Sequence, residues 1–265
     1  MTDAEVDHAL EEWRQGDCTL GEHWFVQRTI ADADGIDLRE TPVSGFVVLT
    51  QTCDVIRSSI DRPELEVSPL VTVTAEHLRE IEKGYRPRHA HVPALAPSGL
   101  VADLDRVMTI DKRVAAAWPR TAGWTTDSEA RAFAMAIGRK RTRFAFPDDF
   151  VTHAKKLQAR IADKHGRASP EGRALLALRE IRVLAAPSWD SANVSLMYWF
   201  IRDDDHQDFE GTDWASLLEK WLAFVPAAGR FQIVDGQVTS LERLTAAEYV
   251  QSDPLDLDHL SGPAR

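Results

Sequence analysis

The segment Thr50-Gln51-Thr52-Cys53-Asp54 stands at the end of an apolar run, Gly45-Phe46-Val47-Val48-Leu49. A strand end is where a rigid scaffold presents polar groups to a ligand. Gln51 can donate and accept hydrogen bonds, Cys53 can supply a thiolate, and Asp54 can act as base or orienting group. The three are therefore candidate catalytic residues. If the strand alternation continues, Gln51 and Cys53 share one face, and Thr50 and Thr52 share the other. The same residues also fit a buried cysteine acting as a small hydrophobe, with Asp54 capping the next turn. No histidine stands at a motif spacing that would pair with Cys53 as a base.

A second cluster is basic. Arg139, Lys140, Arg141 and Arg143 put four cations into five residues, and Phe144 and Phe146 follow at once. Cations next to aromatic rings suit phosphate contact and base stacking. His153, Lys156, Arg160 and Lys164 recur at helical spacing and extend the stripe. These residues are the candidate nucleic-acid contacts. The alternative is a solvated connector whose phenylalanines anchor it to a core, or a run of cations paired with the acidic loop Asp203–Glu210.

Other chemistry finds little support. His77, His89 and His91 lack a carboxylate or cysteine at matching ligand spacing, so no metal site is expected. Asp203-Asp204-Asp205 lacks the companion strand of a two-metal nuclease. Glycine-rich dinucleotide loops, phosphate-loop lysines and the nucleophile elbow of hydrolases do not occur, and no cofactor is expected.

The elements that would carry these residues are legible in the spacing. Residues 3–14 read as a helix, and His23–Ile30, Gly45–Gln51 and Leu65–Val73 read as strands. Thr74 caps a short helix to Lys83, the proline-rich stretch Tyr85–Gly99 reads as loop, and Leu100–Ile110 reads as a strand. Thr126 and Glu129 form a capping box before Ala130–Ile137, with Gly138 as the stop. Asp148–His165 has an apolar stripe of Phe150, Ala154, Leu157 and Ile161, and Ser169-Pro170 opens a further helix. Ile181–Ala185 and Val194–Arg202 read as strands. Thr212 caps a helix on which Trp214 and Trp221 pack. Arg230–Leu241 reads as a hairpin turning at Asp235-Gly236, and Thr245 with Glu248 caps a last helix before a loop-like tail. The expected fold class is α+β: a β-rich, barrel-like part over 1–120, a basic helical part over 121–186, and a mixed part from 187 to 265 docked on those helices.

Composition bounds the function classes. The chain has 265 residues and a formal net charge of −11, with hydrophobic residues at 44%. That balance excludes a uniformly basic nucleic-acid coat and disfavours an anionic membrane surface. The charge is uneven: residues 1–130 carry a net −10, residues 131–185 a net +8, and residues 186–265 a net −9. Two cysteines, Cys18 and Cys53, cannot build a disulfide framework. Neither a signal-like N-terminus nor an apolar run of membrane length is present, so a soluble, cytoplasmic protein is expected.

Gly16-Asp17, the strands after it, the stretch Gly45–Asp54 and Glu66-Val67-Ser68-Pro69-Leu70 resemble a family of uncharacterised bacterial proteins with a Gln-x-Cys-Asp motif. More faintly, residues 14–75 resemble the SH3-like barrel of the PemK/MazF toxins, with Thr41-Pro42-Val43 where those toxins carry Arg-Pro. The resemblance implies a small N-terminal β-barrel that binds RNA and, in the toxins, cuts it. Two functions follow as expectations. One is a nucleic-acid-associated protein of toxin–antitoxin or phage-defence type, binding RNA or DNA through residues 139–167 and, if an enzyme, a nuclease-like hydrolase. The other is a non-enzymatic adaptor or regulator that binds a protein partner.

Overall fold

The structure is a computed structural model that describes residues 1–30, 35–84, 86–142, 144–203 and 212–255. The chain forms two compact units, Met1–Thr142 and Arg143–Arg265. The division runs through the 121–186 segment that the sequence reads as one basic helical part. The α+β class holds, with helix and strand in similar shares.

The first unit is built on a six-stranded antiparallel sheet: β1 (Cys18–Ile30), β2 (Ile36–Val48), β3 (Glu64–Thr72), β4 (His89–Ala90), β5 (Leu100–Asp103) and β6 (Met108–Asp111). The path runs β1-β2-β3-β5-β4, with β6 also paired to β3. Among the described residues no ladder joins β1 to β6 or β4, so the sheet is open rather than a closed barrel. The expected single strand 100–110 is two strands on different parts of β3. Among the described residues five α-helices and a 3-10 helix (Pro93–Ser98) accompany the sheet: α1 (Asp3–Leu10), α2 (Thr52–Val55), α3 (Ala75–Glu82), α4 (Lys112–Ala116) and α5 (Asp127–Arg141).

The inner half of β2 is covered on both faces, which explains its unbroken apolar run. Phe46 and Val48 join Val6, Leu10, Trp13 and Phe25 in one core, while Val47 and Leu49 join Leu70, Phe133 and Ile137 in another. Gly45 sits where β1 crosses closest. Its φ is +144°, and a Cβ there would stand 2.1 Å from the Thr19 carbonyl oxygen, so only glycine fits. Gly138 does not stop α5. The helix runs through it to Arg141, because its predicted neighbours Arg139, Lys140 and Arg141 suit a last turn, where cations meet the negative end of the helix dipole.

The second unit holds α6 (Asp148–Lys164), α7 (Pro170–Leu176), β7 (Leu178–Ala186), β8 (Val194–Arg202), α8 (Trp214–Leu222), β9 (Phe231–Ser240), α9 (Ala246–Gln251) and β10 (Asp253–Pro254). Its sheet has the order β10-β7-β8-β9. The helix expected at 148–165 and the strand at 194–202 stand where the periodicity puts them.

The expected hairpin at 230–241 is wrong. Phe231–Ser240 is one continuous strand parallel to β8, reached through α8 as a crossover. Asp235-Gly236 looks like turn chemistry, but the glycine serves packing. A Cβ on Gly236 would lie 3.1 Å from Leu222 Cδ2 and 3.3 Å from Leu218 Cδ1, where α8 presses on the strand. The N-cap of α8 is Asp213 rather than Thr212, its carboxylate accepting from Ser216 N.

Candidate functional site

The Gln51–Asp54 segment follows β2, but the strand alternation stops at Val48 and Thr52–Val55 winds into a single helical turn. Gln51 and Cys53 are therefore not on one strand face. Backbone needs explain most of the motif. Thr50 Oγ1 accepts from Glu66 N at 2.7 Å, and Thr52 Oγ1 accepts from Gln15 N at 3.1 Å. Gln15 Nε2 donates to Leu49 O at 2.7 Å, so the N-terminal segment is stitched to the strand end. Gly16 N and Val48 O continue that seam at 2.8 Å.

Beneath the turn lies Lys112, whose side chain is fully buried. Its ammonium donates to the carbonyl oxygens of Asp54 at 2.9 Å and Arg57 at 2.6 Å. Burial pushes its pKa down, opposed by the carboxylates of Asp7 and Asp54. The ammonium thus replaces the missing hydrogen-bond donors of a short helix end.

Cys53 is exposed, and its thiol donates weakly to Gln51 Oε1 at 3.8 Å. Asp54 faces Arg57 at 3.8 Å. Among the described residues no imidazole bonds to Cys53 Sγ. Cys18 is the contrasting thiol: burial pushes its pKa up, as in an inert core cysteine.

The basic candidates are mostly engaged within their own units. Arg139 donates to Gly84 O, Lys140 pairs with Asp105, and Arg141 Nη2 meets Glu66 Oε2 at 2.5 Å. Glu66 is also the residue whose amide bonds Thr50, so Arg141 and the Gln51–Asp54 turn meet through β3. Arg143 lies outside the described residues, as does most of the Asp203–Glu210 loop.

In the second unit, Arg160 grips the buried Glu171 through two bonds, Nε to Oε1 at 3.0 Å and Nη2 to Oε2 at 2.5 Å. Lys220 Nζ adds a third at 2.7 Å, and Trp221 Nε1 a longer one at 3.3 Å. Burial alone would raise the Glu171 pKa, but its bonds to Arg160 and Lys220 outweigh that and bring it down to about 2. Lys164 pairs with Asp163 at 2.7 Å. Lys156, like its neighbour Lys155, is exposed and has no ion pair among the described residues. Phe144 and Phe146 pack with Trp189 at ring distances of 5.8 and 5.3 Å, and Phe146 with Phe150 at 4.8 Å. That aromatic cluster fits anchoring to a core.

Among the described residues no three metal-ligating side chains come together. His91 Nε2 approaches Glu82 at 3.4 Å, and burial pushes the pKa of both His89 and His91 down.

One exposed apolar row was not singled out from the sequence. Beyond Gly45, β1 and β2 leave the core as a two-stranded ribbon paired from His23–Val43 to Ile30–Ile36. Cross-strand partners share a face. One face carries His23, Phe25 and Val43, with the Phe25 ring in the core. The other carries Trp24 and Pro42, Val26 and Glu40, Arg28 and Leu38, then Ile30 and Ile36. Its large apolar groups are open to solvent: Trp24 by 50%, Leu38 by 62%, Ile36 by 73% and Ile30 by 82%. The signal was present as alternation in Trp24-Phe25-Val26 and Ile36-Asp37-Leu38. Alternation does not say which face has a cover within the chain.

Compared with known proteins, the chain matches no family model and no curated protein.

Proposed function

We propose that this protein is a non-enzymatic binding module, an adaptor or regulator, whose docking face is the outer side of the β1–β2 ribbon. The observation that carries the reading is the exposed row Trp24, Leu38, Ile36 and Ile30, on a ribbon whose opposite face packs Phe25 into the core and beyond it carries the exposed polar residues Gln27, Thr29, Asp37 and Arg39. Contiguous apolar surface of this kind marks interaction sites, whereas isolated exposed apolar residues do not. A two-stranded ribbon is also marginal by itself in water. Among the described residues, the ion pairs of Lys140, Arg141, Arg160 and Lys164 and the lack of a base bonded to Cys53 favour this reading over a nuclease.

A photo-crosslinking residue at Leu38 or Trp24 tests it, with Val250, exposed but distant from the ribbon in sequence, as control. Discrete protein adducts from the ribbon positions alone are expected. Equal yields from all three positions, or none, would remove the reading.

One observation favours a second reading, nucleic-acid association of toxin–antitoxin or phage-defence type: Lys155 and Lys156 stand exposed on α6. Filter binding to RNA and DNA at two salt concentrations tests it, with a salt slope of roughly one unit per phosphate contact expected. SH3-like kinship of the open first sheet belongs to the same reading, supported by the approach of β6 to β1. A cytoplasmic site of action is part of both readings and rests on two free thiols, Cys18 and Cys53. No helix among the described residues is long and apolar enough to cross a membrane.

A further inference from the structure

The ribbon's outer face has a composition that narrows its occupant. Resting on the reading above, we infer that the face binds a second copy of this chain, ribbon against ribbon, about a two-fold axis. A two-fold interface uses the same patch twice, so the patch must complement itself. This one does. Its apolar groups are Trp24, Val26, Leu38, Ile30 and Ile36, which pack on their own kind. Its two charges, Arg28 and Glu40, are of opposite sign and lie on diagonal positions of adjacent cross-strand pairs.

A two-fold axis lying in the contact plane, across the strands and between those two pairs, brings Arg28 of each copy beside Glu40 of the other. Each charge then meets an opposite partner, and the patch as a whole is neutral. A patch built for an acidic or basic partner would carry an excess of one sign. The overall charge of −11 does not forbid the contact. Charges outside the interface are screened over about 8 Å at physiological salt.

The size of the face sets the strength of the contact. From Trp24 to Ile30 the strand rise gives ~20 Å of length. At about 10 Å of ribbon width, the area falls well short of the roughly 800 Å² per partner of a standard stable interface. The dimer is therefore weak and reversible, and dissociates on dilution. The unpaired ribbon edges are not needed, because apolar side chains stack across the faces.

Sedimentation of the full chain over a range of concentrations tests the inference. Wild-type protein is expected to pass from monomer to dimer, and Leu38→Arg to weaken that step by more than about tenfold. Arg28→Glu alone should weaken it, and the double variant Arg28→Glu with Glu40→Arg should restore it, because both copies then carry the exchanged pair. Circular dichroism confirms that each variant is folded, and the double variant keeps the test valid if Leu38→Arg is not. A wild-type chain that stays monomeric throughout overturns the self-association. If ribbon crosslinks to another protein persist in that case, the docking face stands and only its occupant was wrong. Dimerisation that neither Leu38→Arg nor the charge exchange alters also overturns it.

Discussion

The parallel pair β8–β9 in the second unit and the antiparallel ribbon β1–β2 in the first use the same material and end differently. Both present an apolar row along one face, although β8 is apolar throughout from Leu196 to Ile201 whereas the ribbon strands alternate. On β8–β9 the crossover helix α8 covers that row: Leu218 and Leu222 sit over Gly236, and Trp221 stacks on Phe200 at 4.8 Å. Val234 and Val238 pack there too, while a register shift at the start of the pair leaves Ile233 exposed. On β1–β2 the outer face has no covering element among the described residues. Alternation specifies a face, and only the connection after the strand decides whether the chain itself covers it. A parallel pair needs a crossover and so brings its own cover, whereas a hairpin does not.

The largest expected effect lies on the covered side. Trp221→Ala removes a fully buried ring between Phe200 and the Glu171 clamp and should cost the second unit about 3–5 kcal/mol in urea unfolding. A loss below roughly 1 kcal/mol would mean that α8 is not the cover described here.

Glu171→Gln should come next, at about 2–3 kcal/mol, because it leaves Arg160 and Lys220 without their shared carboxylate. Both cations retain access to water, which keeps the cost below that of a fully buried pair. The folded pKa of Glu171 is lowered to about 2 from the ordinary glutamate value of 4.5. Its contribution is present above the unfolded value and is lost as pH falls from there towards 2. Wild-type stability should therefore drop over that acid range, and Glu171→Gln should flatten its share of the drop. Equal acid sensitivity in both proteins would remove Glu171 from the account.

The smallest effect is expected on the bare side. Leu38→Ser and Ile36→Ser should change monomer stability by no more than about 0.5 kcal/mol in dilute protein, since both side chains are open to solvent. A large loss would show that the ribbon face is covered within the chain, and the contrast between the two pairs would disappear.

Much of the architecture was legible because it rests on local physics. The capping boxes Thr126–Glu129 and Thr245–Glu248, the Ser169-Pro170 helix start and the stripe of α6 each satisfy their own backbone or face. The errors came where a residue's role is set from far along the chain. Gly236 carries a turn signature, yet it is selected by the approach of α8. Gly138 reads as a stop, yet the helix continues through it. At the candidate site, Thr50 and Thr52 serve the seam to Gln15 and Glu66, and Lys112 reaches the turn from 58 residues away. The cations of residues 139–164 were visible as a charge run, but their partners Asp105, Glu66 and Glu171 are brought by the fold.

The central claim is that the outer ribbon face is the surface on which two copies of this chain meet. Hydroxyl-radical footprinting at high and low protein concentration tests it most directly, because it reads individual side chains without altering them. Oxidation of Trp24, Ile30, Ile36 and Leu38 should fall as concentration rises, while Val250 and Ile60, which are also open to solvent, stay constant. Ribbon residues oxidised equally at both concentrations would contradict the account.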